Sequence, residues 1–286
     1  MMSANARQKS SRWARALPKV ERDARTALKT LRQRIEPYTG EKMPVFVFGC
    51  QRSGTNMLVD VLANSAHTQT YQEDNGAAFV RNRLKSMAVQ RALIRRAACR
   101  VVVFKPITES QHASMLLDAH PNARAIWIFR DVDATSASAV AKWGDKQITL
   151  IRRLCDGTLP PSHWLTECLP DARRAWACEM SAALPNMTAH EAASIKWVLR
   201  NAIYFDLGLH ERADRVLLVR YEDITREPSR YVPPVFAFLG LPFEPAYTDA
   251  IKHSANRPRP AMDARLRAAC DELTAQLHDA YQRMSF

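Results

Sequence analysis

Between residues 13 and 35 the apolar positions Trp13, Leu17, Val20, Ala24, Leu28, Leu31 and Ile35 recur every three or four residues, the single stripe of an amphipathic helix. Pro18 suits a first helical turn, and Tyr38-Thr39-Gly40 reads as a linker. From residue 45 the pattern changes to short unbroken apolar runs: Val45–Phe48, Val101–Phe104, Ala125–Phe129 and Val216–Val219, with Thr68–Gln72 a weaker fifth. Between them lie stretches of helical spacing. Met57, Leu58, Val61 and Leu62 share one face, and further helices are expected at about 77–98, 110–119, 228–239 and 262–283. Residues 133–209 read as mostly helical, broken at Pro160-Pro161, Pro170 and Pro185. Runs without in-out alternation, separated by helices, predict a parallel sheet buried on both faces. The expected architecture is an α/β chain: a basic helical extension over 1–40, then a single three-layer domain over 41–286 with a central parallel β-sheet and helical insertions.

In open parallel sheets ligands bind beyond the carboxyl ends of the strands, so the residues that follow each run are the ones to inspect. They are the loop Gly49-Cys50-Gln51-Arg52-Ser53-Gly54-Thr55, then Glu73-Asp74, Lys105, Arg130-Asp131 and Arg220-Tyr221-Glu222-Asp223. Polar groups therefore gather at one edge. The first loop joins a strand to a helix, where glycines let backbone amides turn inward and the helix start adds partial positive charge, the setting of a phosphate cradle. Gly49-x4-Gly54 follows the opening of the P-loop pattern G-x-x-x-x-G-K-[ST], but Thr55-Asn56 stands where Lys-[ST] belongs and the cation sits inside the loop as Arg52. This disfavours metal-assisted triphosphate chemistry.

On these residues the chain resembles the sulfotransferases that use 3′-phosphoadenosine 5′-phosphosulfate (PAPS), whose fold is P-loop NTPase-like. Gln51-Arg52-Ser53-Gly54-Thr55 is similar to the family's [PQ]-[RK]-S-G-T loop, which holds the 5′-phosphosulfate, with Asn56 beside it. Arg130-Asp-Val-Asp-Ala-Thr-Ser-Ala-Ser138 is similar to R-[DN]-P-x-D-x-x-x-S, in which the Arg and the Ser eight residues later bind the 3′-phosphate. Two departures stand out: Val132 replaces Pro, and the acid falls one place early at Asp133, with Ala134 in its slot. Val219-Arg-Tyr-Glu-Asp223, with Pro228 and Phe236-Ala-Phe-Leu-Gly240 beyond, looks like the segment whose Tyr, here Tyr221, lies near the nucleotide. The likeness spans about 44–245 and implies sulfuryl transfer from PAPS to an acceptor hydroxyl on a glycan, glycolipid or other metabolite, with no metal.

Arg52 and Lys105 are the cations expected to neutralise charge on the leaving phosphate. The family's cytosolic phenol-type enzymes carry a His two residues after the Lys, but Ile107 stands there. Its carbohydrate-type and bacterial members use a carboxylate after the second strand, which selects Glu73 as base, with Asp74 as deputy and His67, Glu109 and His112 in reserve. A carboxylate at a helix start is the alternative reading of Glu73. Late in the chain Lys252, His253, Asn256, Arg257 and Arg259 form a basic loop, and by the same resemblance Arg257 would close over the 3′-phosphate.

Charge and composition sharpen this picture. The net charge of +12 sits in two blocks: eleven Lys/Arg against four Asp/Glu over 1–42, and seven Lys/Arg with no acid over 81–100. Such blocks suit an anionic ligand or a membrane surface, and Arg91, Arg95 and Arg96 suggest an acceptor that is itself anionic. Six cysteines without CxxC spacing read as buried, inert thiols. No apolar run reaches the ~18 residues of a membrane span, and the start of the chain lacks the apolar core of a secretory signal. The cytoplasm is the expected location, and the N-terminal helix could touch the inner face of a membrane or a second copy of the chain. No nucleic acid partner is expected. The rival readings are a P-loop nucleotide kinase or hydrolase and a non-catalytic anion- or membrane-binding protein.

Overall fold

The computed structural model describes residues 27, 29–31, 33–252 and 260–284. Most of the stripe over 13–35, and Arg257 with its neighbours His253, Asn256 and Arg259, lie outside the described residues.

The strands form as their apolar runs require. β1 (Met43–Gly49), β2 (Thr68–Tyr71), β5 (Val101–Phe104), β6 (Arg124–Phe129) and β7 (Val216–Arg220) make one five-stranded parallel sheet in the order β2-β5-β1-β6-β7. Phe46 lies opposite Phe104 on one side and Ala125 on the other, so β1 is central. Alternate residues of each strand face opposite layers. Phe46, Phe48, Phe104, Trp127 and Phe129 form an aromatic face, while Val45, Val47, Val103, Ile126 and Ile128 form a branched aliphatic one.

Both faces are covered. α1 (Thr55–Ala63), a short α8 (Tyr221–Arg226) and α9 (Pro228–Phe238) pack on the aliphatic face through Leu58, Leu62, Ile224, Val232 and Phe236. The aromatic face is covered by α2 (Met87–Arg96), α3 (Ala113–Ala119), α4 (Val132–Trp143), α5 (Lys146–Cys155), α6 (Asp171–Ala182), α7 (Ala189–Asp206) and α10 (Ala264–Gln282). α7 is the pillar of that layer. Thr188 and Glu191 close a reciprocal capping box at its start, and Ile195, Trp197, Leu199 and Tyr204 are buried along its length.

The helix expected over 77–98 is replaced by a hairpin and a shorter helix. β3 (Phe79–Val80) pairs antiparallel with β4 (Arg83–Leu84), and α2 begins only at Met87. Arg81 and Asn82 both adopt positive φ, 49° and 62°, the geometry of a two-residue turn whose twist suits a hairpin. The helix expected from 110 begins as a 3-10 turn at Ile107–His112. Cys50, Cys99 and Cys270 are buried as expected, whereas Cys155 and Cys178 are half-buried and Cys168 is exposed. The end of the N-terminal helical segment docks through polar contacts: Lys29 Nζ donates to the Ala63 carbonyl at 2.6 Å and Gln33 Nε2 to that of Ala66 at 2.8 Å.

Candidate active site

The chain leaves β1 for β2 on one side of the sheet and later crosses to β6 on the other, so the carboxyl end of β1 is the point where the connections diverge and a crevice opens. The Gly49–Thr55 loop sits there. Gly49 has φ 144° and lies against the Ile128 carbonyl, with no room for a Cβ. Gly54 has φ 96°, and the Tyr221 ring occupies the space a Cβ would need. Between them Arg52 holds φ 77°, a left-handed conformation that non-glycine residues adopt at a cost of about 1–3 kcal/mol and that clusters at ligand sites. Gln51 Oε1 and Ser53 Oγ are buried with no hydrogen-bond partner, acceptor and hydroxyl groups awaiting one. Thr55 is buried, and Asn56 stands exposed in the first turn of α1.

The second element meets this loop directly. Arg52 Nε donates to Ser138 Oγ at 3.1 Å, and Arg130 Nη1 to the Arg52 carbonyl at 3.3 Å. Sequence reasoning treated the loop and the Arg130/Ser138 pair as two separate anion sites; the fold places them in contact, with Arg52 turned toward Ser138. The Arg130 guanidinium lies 4.3 Å over the Tyr221 ring, so the third motif joins them. The displaced acid has a different job. Asp131 caps α4 by accepting from the Ala134 amide at 2.9 Å, while buried Asp133 forms a two-point pair with Arg267 of α10, both contacts 2.9 Å, and faces His190 at 3.3 Å.

On the other side of the loop, Lys105 connects the start of α1 to a carboxylate. Its Nζ donates to Asn56 Oδ1 at 2.5 Å and to Glu73 Oε2 at 2.9 Å. No helix begins beside Glu73, since the chain turns into the β3–β4 hairpin instead. Glu73 Oε1 is buried without a well-aligned donor, although the Ile107 amide lies close enough to favour the charged carboxylate. Burial raises the Glu73 pKa above the ordinary carboxylate value, and the Lys105 charge opposes only part of that shift. Asp74 is exposed. Glu109 and His112 belong to another cluster: Arg83 pairs with Glu167, Glu109 Oε1 lies 3.8 Å from Arg83, and His112 Nε2 lies 3.4 Å from Glu167. His67 lies before β2, at the amino end of the sheet, as its carbonyl's bond to the Val101 amide confirms.

Three more side chains, all on or against α7, belong to this edge and were not singled out by sequence. Trp197 Nε1 donates to the Arg130 carbonyl at 2.9 Å. Arg200 Nη2 donates to the Ile107 carbonyl at 2.8 Å, and Lys196 Nζ to Gln147 Oε1 at 2.6 Å. The available signal was Lys196 and Arg200 spaced four apart within residues 195–205, a stretch that is otherwise mostly apolar. Glu222, half-buried, accepts from the Asp131 amide at 3.0 Å.

The arginines of α2 lie elsewhere. Lys42 Nζ, just before β1, donates to the Arg95 carbonyl at 2.6 Å, which places the end of α2 at the amino edge of the sheet. Arg91 is close enough to His120, before β6, to depress its pKa alongside burial. Arg91, Arg95 and Arg96 therefore stand at the opposite end of the sheet from Glu73, and their position removes the ground for an anionic acceptor. Among the described residues no group of three or more His, Cys, Asp or Glu side chains could hold a metal ion, and no helix is long and apolar enough to cross a membrane.

A family model described as "Sulfotransferase family" matches residues 66–245, which include Glu73, Lys105, Arg130, Ser138 and Tyr221 and begin after the Gly49–Thr55 loop. No curated protein matches the sequence. Among solved structures, the chain is similar to a sulfotransferase from Alicyclobacillus acidocaldarius at 15% identity, covering 86% of this chain and 95% of that one with a TM-score of 0.47. It is also similar to a mouse sulfotransferase complexed with PAP (14%, 86% and 89%, TM-score 0.45) and to a sulfotransferase from Mycobacterium avium (14%, 84% and 77%, TM-score 0.46).

Proposed function

Because the chain belongs to the sulfotransferase family, we propose that it moves a sulfuryl group from PAPS to a hydroxyl of a glycan, glycolipid or other metabolite, with Glu73 as general base. The observation that carries this reading is the chain of contacts Asn56–Lys105–Glu73, which sets a side chain at the start of α1, a buried cation and a carboxylate with one oxygen still able to accept side by side.

PAPS would supply the activated sulfate, and its fit rests on the loop. Gly49 and Gly54 allow close backbone approach where any side chain would clash, and Gln51, Ser53, Thr55 and the start of α1 offer polar groups to the phosphosulfate. Arg130 and Ser138 would take the 3′-phosphate, with Tyr221 beside them; the assignment of Arg257 to the same phosphate is an expectation of the resemblance alone. Glu73 Oε1 would accept the proton of the acceptor hydroxyl as its oxygen bonds to sulfur. The sulfur–oxygen bond to the phosphate breaks in the same step, its electron pair staying on the phosphate oxygen, where Lys105 and Arg52 meet the growing charge. Gln111 and His112, in the turn after Lys105, join Arg83 and Glu167 in a polar cluster suited to a hydroxylated acceptor.

Thermal unfolding with 3′-phosphoadenosine 5′-phosphate (PAP) and with ATP·Mg²⁺, followed by labelled-sulfate transfer to a panel of glycans, lipids and phenols, tests the reading. Stabilisation by PAP and label transfer are expected. Stabilisation by ATP·Mg²⁺ alone would overturn it in favour of a nucleotide kinase or hydrolase.

A further inference from the structure

α7 crosses the carboxyl edge of the sheet, as two contacts along it show. Trp197 reaches the end of β6 through the Arg130 carbonyl and Arg200 the end of β5 through that of Ile107, while Lys196 lies within electrostatic range of Arg52, beyond β1. Lys196 and Arg200 are 3% and 1% exposed. Neither has a carboxylate within salt-bridge distance among the described residues. Lys196 is held by Gln147 Oε1 and stands 4.8 Å over the Trp143 ring. Arg200 is held by the Ile107 and Trp164 carbonyls, by Gln111 Oε1 at 3.2 Å and by the Trp164 ring, and its Nε has no partner.

Neutral acceptors satisfy hydrogens but do not cancel charge. Glu73 is near enough to favour the Arg200 charge but is already ion-paired with Lys105, so two buried cations four residues apart without a carboxylate of their own oppose folding, because each charge has left water without recovering its solvation. Burial pushes the Arg200 pKa down to about 10, so the group remains charged at neutral pH. Lys105 differs from them, since Glu73 already compensates it. Burial, reinforced by the Arg200 and Arg52 charges, lowers the Lys196 pKa, so an anion entering beneath the loop would favour its protonated form as well as meet the Arg200 charge.

We propose that Lys196 and Arg200 are uncompensated interior cations of the donor site, which hold the anionic 5′ end of the donor through their field and not by contact. This rests on the PAPS reading. Before the donor binds, the pair destabilises the fold; after binding, the same charges lie against the donor's 5′ anion in a medium that screens poorly. Strain kept in the empty protein is released when ligand enters, so the pair converts folding free energy into affinity and charge stabilisation.

Four variants of the full chain test this: Lys196→Met and Arg200→Gln remove charge, while Lys196→Arg and Arg200→Lys keep it. Melting is read with and without PAP, and kcat and KM for PAPS are read by transfer of labelled sulfate. Lys196→Met should leave the melting temperature of the empty protein unchanged or raise it by about 3 °C. Both charge-removing variants should lose most of the PAP-induced shift and on the order of tenfold to a hundredfold in kcat/KM for PAPS. The charge-keeping variants should retain both. If the wild-type chain is not stabilised by PAP, the donor reading itself fails. If the wild type is stabilised and the charge-removing variants are stabilised equally, the pair is only structural and the inference is overturned. Should Lys196→Met not fold, Arg200→Gln against Arg200→Lys decides the matter on the same readouts.

Discussion

At the scale of single residues, the site depends on which oxygen of Glu73 remains open. Lys105 pairs with Oε2 and leaves Oε1 buried without a well-aligned donor, so the ion pair orients the carboxylate with one oxygen still able to accept. Burial raises its pKa, which moves the proton-accepting form to higher pH. The proposed base works deprotonated, so activity is expected to fall as pH drops through that raised value, with the acid limb of kcat/KM above the ~4.3 of a free Glu. Glu73→Gln should remove that limb and lower kcat about 100-fold or more, measured by labelled-sulfate transfer across pH. The candidacy of Glu73 and Lys105 could be read from their places after strands, but their contact could not. Sequence tells where a strand ends; the direction of two side chains across neighbouring strands is set by register and packing.

At the scale of elements, the helices of the aromatic layer are tied by buried polar pairs that periodicity does not reveal. Asp133 of α4 holds Arg267 of α10 in a two-point pair with His190 of α7 behind it. Burial by itself would raise the Asp133 pKa, but the hydrogen bonds and charges of Arg267 and His190 outweigh it and hold it below the ordinary value. A depressed carboxylate stabilises the fold above its unfolded pKa and loses that contribution as pH falls through the folded one. Asp133→Asn is therefore expected to cost about 3 kcal/mol at pH 7, with the difference shrinking below about pH 4 in urea unfolding curves. In the family pattern this position was an irregularity, an acid one place early. In the fold it joins α4 to α10, the last helix of the layer. The β3–β4 hairpin was missed for a related reason: Arg81-Asn82 lacks the glycine that usually announces such a turn, and the flanking pairs are too short to show alternation.

Across the whole molecule, charge is sorted between the two ends of the sheet. The basic block at 81–100 delivers Arg95, Arg96 and Arg100 to the amino edge, where Arg100 Nη1 bonds the Gly240 carbonyl at 2.8 Å. The carboxyl edge draws its cations from Arg52, Lys105, Arg130, Lys196 and Arg200, all of which lie outside the two basic blocks. Replacing Arg91, Arg95 and Arg96 by Ala should leave KM for the acceptor within about twofold, because they stand a sheet's length away and exposed charges are screened over about 8 Å at physiological salt. A larger rise in acceptor KM would return them to the site. The sheet was legible because buried parallel strands write themselves as unbroken apolar runs; which edge a cation serves depends on chain reversal and was not.

The placement of Tyr221 has a consequence of its own. Its ring fills the space above Gly54 and lies under the Arg130 guanidinium, so one rigid plate touches both the loop and the second element. Two ligand fragments, one bearing only a 5′-phosphate and the other only a 3′-phosphate, would then not bind as strangers. Seating either one fixes the plate for the other, and reciprocity demands that each strengthen its companion by the same factor. The nucleotide would be recognised as a whole molecule, and its halves together would be worth more than their separate affinities add up to.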